Sequence, residues 1–571
     1  MTLEKPNIPL EIINDAKSRW KTYTQAAGAQ AAAMLADKVF IEELLYVWGL
    51  SDFISKICLR DPGLLMDLFH SRHLFEVYPS GFYRKSFEKV LTDFDHGAAT
   101  DLTKAQLTNQ IRVLQRLLRI FRQREMVRIA WRDLSGRAAL AETMTDLSAF
   151  ADACIDCSLS VLYNLQCCVD GIPRAKNGSR QNLTVFGLGK LGGRELNFSS
   201  DIDLIFAYPE AGATDHPEKP HSNDAFFVRL ARNLIKTLSE ITPDGQVFRV
   251  DMRLRPDGEN GPLVMSFENT EVYYQVHGRE WERYAWIKAR AVAGDMTAAE
   301  DLLKRLKPFI YRRYLDYGVF DSLRDMKQNI SIEVKRKGLA NNIKLGPGGI
   351  REIEFFGQVF QLIRGGIIPG LQDQRLLHIL DILVDENFIE SKTRDELRSS
   401  YCFLRNTEHR LQEFSDRQTH DLPDNLKTRL QLALSMGFDD WPAFSSRLKQ
   451  HTDIAHRHFN NLLASQHPET KTDSSNKNVS ELACLWTGSN VDEQAAQELS
   501  DAGFKTPEDI IKLLNHFKHS PGTRSLSREG MDKIDRLIPL ILKVTSGSPQ
   551  PDLALKRIID LIETIQRRTN Y

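Results

Sequence analysis

Cysteine is scarce in this chain of 571 residues: Cys58, Cys154, Cys157, Cys167, Cys168, Cys402 and Cys484 are the whole set. An odd count in a long chain without a secretion signal argues for reduced thiols and a cytoplasmic location. The N-terminus, MTLEKPNIPLEIINDAKSRW, has no apolar h-region and turns acidic early, which excludes a signal peptide. No run of about 18 uncharged apolar residues occurs, so nothing reads as a membrane span. An excess of either charge is also missing. Lys and Arg number 75 against 76 Asp and Glu, a formal net charge of −1. No global field therefore draws the chain to nucleic acid or to an anionic membrane. What remains is an ordinary soluble composition, 42% hydrophobic and 26% charged. At about 150 residues per domain, the length suggests three or four domains.

Proline and glycine are sparse over residues 1–180, and apolar residues recur there at helical spacing, so this stretch reads as a helical domain. Within it, Arg112, Arg116, Arg119, Arg122, Arg124, Arg128 and Arg132 crowd one helix. That pattern fits either a phosphate-binding helix or a solvated basic face paired with acidic neighbours; the neutral overall charge favours the second. Cys154 and Cys157, followed by Cys167-Cys168, have zinc-like spacing, but no histidine or turn accompanies them, and buried thiols are the better account.

Glycine gathers where the pattern changes. Residues 185–207 read VFGLGKLGGRELNFSSDIDLIFA, an apolar run, a glycine-rich turn and a second apolar run headed by two aspartates. In a β-strand residues i and i+2 share a face, so Asp201 and Asp203 project together while Ile202, Leu204 and Phe206 enter a core. Adjacent carboxylates repel unless a cation lies between them, and Mg2+ is the usual one. Gly187, Gly189, Lys190, Gly192 and Gly193, with Ser200 next to the acids, read as a nucleotide cradle, the glycines leaving amides free to approach a phosphate. The stretch is neither a Walker A loop, since Lys190 is not followed by Ser or Thr, nor a dinucleotide-binding fingerprint.

Downstream, Phe227, Leu230, Leu234 and Leu238 mark one face of a helix. Phe248, Val250, Met252 and Leu254 then alternate with Arg249, Asp251, Arg253 and Arg255, the signature of a half-buried strand. Its charged face is either solvent-exposed or supplies Asp251 as a third metal carboxylate, with Arg253 and Arg255 meeting a polyphosphate. Residues 278–290, GREWERYAWIKAR, read as a helix carrying Arg279, Lys288 and Arg290, either phosphate contacts or structural ion pairs. Residues 293–464 return to helix. In KLGPGGIREIE, Gly348 and Gly349 open a helix whose N-terminus suits an anion, unless Glu352 and Glu354 serve as its dipole partners. Residues 465–480 form a polar linker, and 481–571 hold short helices broken at Ser520-Pro-Gly522 and Ser546-Gly-Ser-Pro549. The last helix stops at Tyr571 without a cap or polar tail, so the sequence reads as cut short.

Four stretches in order, GLGKLGGRELNFSSDIDLIF, RVDMRLRPDGENGPL, GREWERYAWIKAR and KLGPGGIREIEF, resemble the glutamine synthetase adenylyltransferase/adenylyl-removing enzymes. The resemblance runs through about residues 100–465, and more weakly beyond residue 480. It implies an α+β fold, mostly α-helical, with a small nucleotidyltransferase-type (DNA polymerase β-like) mixed sheet set between helical domains. The expected division is a helical domain to residue 180, a catalytic domain over 181–292, a helical bundle over 293–464, the linker, and a helical regulatory-type segment. Members of the family have two nucleotidyltransferase halves, one removing AMP from a tyrosine of glutamine synthetase by phosphorolysis and one attaching it from ATP. LNFSSDIDLIF behind a helical region resembles the removing half, and only one such half is present. By this resemblance Asp201, Asp203 and Asp251 bind two Mg2+ ions, with Mn2+ as an alternative, and Gly189-Lys190 stands at the superfamily's Gly-Ser position. Lys there departs from the superfamily and fits the family. The implied partners are adenylylated glutamine synthetase, phosphate, the ADP/AMP moiety and a PII signal protein. Two other readings stay open on the residues alone: a nucleotidyltransferase working in the attaching direction, and a non-catalytic helical module that binds partners.

Overall fold

A computed structural model describes residues 8–92, 103–312, 339–464, 493–526 and 528–568, with Ile332, Arg336 and Trp486. The chain divides into two compact units, Met1–Leu463 and Ala464–Tyr571. The three stretches expected up to residue 464 thus share one unit, and the expected linker 465–480 lies outside the described residues. No described helix is long and apolar enough to cross a membrane.

Two helices of 31 residues, Lys104–Leu134 and Leu140–Asp170, carry the first half of the larger unit. The first starts at a capping box: the Gln106 amide donates to Thr103 Oγ1 (3.3 Å) and the Thr103 amide to Gln106 Oε1 (2.9 Å). The second ends at Gly171, whose φ of 79° suits a residue without a Cβ. The arginine-rich face of the first helix is exposed at Arg112 and Arg116 and covered further along. Arg119, Arg128 and Arg132 are buried; Arg128 pairs with Asp146 (2.8 Å), Arg132 with Glu142 (2.7 Å), and Arg119 donates to the carbonyl of Gly245 (2.8 Å). Cys154 and Cys157 are buried free thiols in the second helix.

The sheet follows. Strands β1 (Pro173–Ala175) and β4 (Gly212–Thr214) form a small antiparallel pair. The five-stranded sheet comprises β2 (Thr184–Gly187), β3 (Ile202–Tyr208), β5 (Val250–Asp251), β6 (Val264–Ser266) and β7 (Arg290–Gly294). Its order is β5-β3-β2-β7, with β6 also on β3. Strand β2 is antiparallel to β3 and β7, whereas β5 and β6 run parallel to β3, so the sheet is mixed. Alternation along the strands assigns side chains to two cores. Val185, Ile202, Leu204 and Phe206 pack with the N-terminal helices. Phe186, Ile205 and Ala207 pack with helices after Met296, among them Ile350–Arg364 and Ser391–Glu413. The architecture is α+β, mostly helical, with a small nucleotidyltransferase-type mixed sheet set between helical layers.

Two elements are shorter than their patterns suggest. Of residues 248–255 only Val250–Asp251 is strand, because the Arg253 amide turns back to Asp251 Oδ1 (2.8 Å) and the Arg255 amide to the Met252 carbonyl (3.3 Å). Of residues 278–290 only Glu280–Trp286 is helix, and Arg290 already begins β7.

The smaller unit has its own core, built from Trp486, Leu499, Phe504, Ile510, Leu514, Phe517, Ile538, Leu542, Leu555 and Ile559. Ser520 caps the short helix Pro521–Arg524 through the Thr523 amide (3.3 Å), and Pro551 opens the last helix, so the Pro-rich breaks fall at helix starts.

Candidate active site

The parallel ladder between β3 and β5 sets Ile202 opposite Val250 and Asp203 opposite Asp251. Asp201 lies two residues before Asp203, and its electrostatic influence on Asp203 is felt alongside that of Asp251. The three aspartates expected to meet are therefore brought together. Asp201 and Asp251 border a shallow cleft of about 380 Å3, with Arg249, Arg253, Arg255 and Glu259.

Their environments differ. Burial first, then the charges of Asp251 and Asp201, push the Asp203 carboxyl up to about 6, against the pull of Lys344 and Arg253. For Asp251, burial also opposes the charge. The Arg253 side chain (Nε to Oδ2, 2.9 Å) and amide outweigh it and hold the carboxyl below the ordinary range. Asp201 accepts from Arg249 Nε (2.5 Å), whose Nη2 also reaches the Ser199 carbonyl (3.1 Å). A half-buried carboxylate whose charge is resisted by its neighbours, inside an all-oxygen donor set, fits a hard divalent cation. Among the described residues a tighter group of metal-type side chains is Asp133, His409 and Glu413. Arg410 already pairs with both of its carboxylates at 2.8 Å, so that group carries its own cation.

The glycine-rich turn supports the acids more than it cradles a ligand. Gly189 has φ 54°, and a Cβ there would stand 2.7 Å from Asp203 Oδ2. Only glycine lets this carboxylate lie so close to the turn. At Gly192 a Cβ would stand 1.8 Å from the Lys288 carbonyl, so glycine is needed for packing. The amides of Gly192 and Gly193 donate to the carbonyls of Leu188 (3.0 Å) and Gly189 (3.1 Å), which corrects their expected place in a phosphate cradle. Gly187 pairs with Leu204 and Arg290 inside the sheet, and Ser200 is half-buried beside Asp201.

Several expected cations are spent elsewhere. Lys190 Nζ lies 2.9 Å from both oxygens of the buried Glu408, which also meets His420 (2.9 Å). Burial opposes charge on Glu408, yet Lys190, Arg405 and His420 hold it well below the ordinary carboxylate range. Lys190 is thus a structural ion pair rather than a phosphate ligand. Lys288 is buried against Glu195 (2.7 Å) and Glu354 (3.7 Å). Arg290 grips Asp152 through two contacts (2.9 and 3.0 Å). Arg255 donates to the carbonyls of Gly261 (3.3 Å), Met252 (2.8 Å) and Glu259 (2.9 Å), pinning the turn. Gly348 has φ 70° with the Thr452 carbonyl where a Cβ would be, and its amide donates to Glu352 (3.0 Å). The Gly349 amide donates to Gly346 (2.9 Å), so this helix start already holds its own carboxylate instead of an outside anion.

Arg253 remains: its side chain is 70% exposed and anchored on Asp251 at the cleft rim. Two cations of the site were not singled out from the pattern. Arg249 lay on the charged face of the expected strand, and only the β3–β5 register shows that it meets Asp201. Lys344, in the loop before the helix Ile350–Arg364, acts on Asp203 across 141 positions of sequence, and no local signal links them.

Residues 41–305, which hold every strand and all three aspartates, match the family model described as glutamate-ammonia ligase adenylyltransferase. Residues 324–463 match the model described as GlnD PII-uridylyltransferase. The bifunctional glutamine synthetase adenylyltransferase/adenylyl-removing enzyme of Nitrosococcus oceani is 46% identical over 532 residues, covering 93% of this chain and 53% of that protein. The enzyme of the same name from Pseudomonas aeruginosa is 43% identical over 572 residues, covering 99% of this chain and 57% of its own length. The chain spans about half the length of the curated relatives it matches. Over residues 41–305 the chain thus carries a domain that matches the glutamate-ammonia ligase adenylyltransferase family model.

Proposed function

We propose that this chain removes AMP from adenylylated glutamine synthetase by phosphorolysis, releasing ADP and the unmodified tyrosine. The observation that carries the reading is the β3–β5 register, which sets Asp203 beside Asp251 with the Arg253 guanidinium on the same rim. Glutamine synthetase as the substrate rests on the names of the relatives. Removal rather than attachment rests on the wording LNFSSDIDLIF behind a helical region.

Asp201, Asp203 and Asp251 would hold Mg2+, which when bound screens the anionic reactants and stabilises the leaving oxygen. Arg253 binds the incoming phosphate through a charge-assisted hydrogen bond, its position set by Asp251. Lys344 adds positive charge that acts on Asp203. The leaving phenolate has a pKa near 10, so no strong general acid is required. Control by a PII protein is supported by the match of residues 324–463 to the PII-uridylyltransferase model.

The test is incubation with adenylylated glutamine synthetase, Mg2+ and phosphate, followed by identification of the nucleotide released. ADP whose formation rises with phosphate and saturates is the expected result. Phosphate-independent AMP would make water the nucleophile, and label passing from [α-32P]ATP into unmodified glutamine synthetase would favour the attaching direction.

A further inference from the structure

A second cavity, of about 500 Å3, lies at the other edge of the five-stranded sheet. Asp251 sits on edge strand β5; this cavity borders edge strand β7 at Val292 and Gly294, with the helix Leu140–Asp170 as its floor. Its volume falls in the range of sites for small molecules.

The polar groups of its wall divide into spent and unspent. The acids are all committed. Asp152 is gripped by Arg290 (2.9 and 3.0 Å). Asp156 accepts from Arg84 (3.0 Å) and from the Gly294 amide (3.1 Å). Asp295 caps a helix through the Ala298 amide (2.9 Å). Two of the arginines are not committed in this way. Arg180 uses only Nε, on Tyr163 Oη (3.0 Å), with its guanidinium 4.7 Å above the Tyr163 ring, which leaves both terminal nitrogens unspent. The Arg194 side chain makes no hydrogen bond or ion pair with any described residue.

Arg194 is unusual in a second way. Its φ is 55°, a left-handed conformation that is strained for a residue with a Cβ. It follows directly on Gly192-Gly193, and glycine would occupy this position without strain. Burial first, then the charges of Arg290 and Arg375, disfavour its cationic form, against the pull of Asp152, which Arg290 already grips. An exposed, strained arginine without a direct ion pair among the described residues borders a cavity whose carboxylates are all engaged.

We propose that this cavity binds a small anion through carboxylate or phosphate oxygens, held by Arg194 and the free edge of Arg180. The site is separate from the aspartate cleft and does not depend on the reaction performed there. The planar guanidinium of Arg194 suits two-point contact with such a group, and Asn182 on the same wall supplies a neutral donor.

The test is isothermal titration of the full chain, free of divalent metal, with inorganic phosphate and with succinate. Saturable binding of at least one probe is expected, weakened about tenfold or more in Arg194→Gln and in Arg180→Gln. Arg253→Gln removes the cation of the other cleft and leaves that binding in place. Gln keeps the backbone demand at 194, so the melting temperature without ligand should not move. Binding of succinate alone marks a carboxylate site and of phosphate alone a phosphate site; either supports the proposal. Saturable binding of neither probe overturns it, as does an affinity unchanged by Arg194→Gln or abolished by Arg253→Gln.

Discussion

At Asp203, burial and the two neighbouring carboxylates all resist ionisation, and the consequence can be followed with pH. Its carboxyl rises from 3.8 to about 6, so between these values the folded state holds the proton more tightly than the unfolded state. Stability therefore falls as pH rises from about 4 to 6, by an amount on the order of 2 kcal/mol once partial exposure is allowed for. Asp203→Asn removes that term. In metal-free buffer the variant should be the more stable protein at pH 7.5, and the gap should close by pH 4, which denaturant melts at the two pH values check. Mg2+ should raise the wild-type melting temperature and leave that of the variant unmoved, while AMP removal falls below about a tenth. The two rim arginines separate at the same scale. Arg253→Ala should raise the apparent KM for phosphate more than that for the protein substrate, by the factor that about 1.5–3 kcal/mol represents. Arg255 is tied to three carbonyls, so Arg255→Ala should lower the melting temperature instead.

The elements show where pattern and packing part company. The β3 pattern of alternating residues was legible and sorted itself correctly, Leu204 and Phe206 to one core and Ile205 to the other. The same alternation over residues 248–255 was misleading after Asp251, because a carboxylate that accepts from the amide two residues on makes a turn whatever the polarity pattern is. The arginines of Lys104–Leu134 were legible as a charged face, but their burial depended on Asp146, Glu142 and a run of carbonyls from distant elements. Lys190 makes the same point in the catalytic turn, where its partner Glu408 is 218 positions away. Removing Lys190 leaves the buried Glu408 one cation short, with Arg405 and His420 still beside it. Lys190→Met should cost at most about 3–5 kcal/mol, and Lys190→Met with Glu408→Leu distinctly less. Urea unfolding of both variants measures this, and equal losses would mean the pair is not coupled.

On the scale of the whole molecule, the sheet is a shared wall, with one core on each side of it inside Met1–Leu463. The catalytic strands therefore depend on helices both before and after them in the chain. The smaller unit carries a core of its own residues. A fragment ending at residue 464 should accordingly fold, unfold in one cooperative transition and, on the proposed function, retain AMP removal, as circular dichroism and the phosphorolysis assay would show. A fragment of residues 181–292 alone should not fold, since both faces of its sheet would lose their cover.

The sequence alone determined what depends on near neighbours: the helical character of the N-terminal half, the strand that carries Asp203 with Asp201 just before it, the glycine turn upstream, and an acid at Asp251. Spacings of two and about 3.6 residues are local properties of the backbone, and a single chain displays them without help. Tertiary structure decided which charges are free. Lys190, Lys288 and Arg290 read from the sequence as phosphate-contact candidates beside Arg253 and Arg255, and each is taken by a carboxylate from a remote part of the fold, while Arg255 is held by carbonyls of its own turn. The same holds for Lys344 at Asp203 and for Arg194, whose side chain has no ion pair among the described residues. A long side chain takes whatever opposite charge the packing puts within reach, and that choice is not written in its own neighbourhood of the chain.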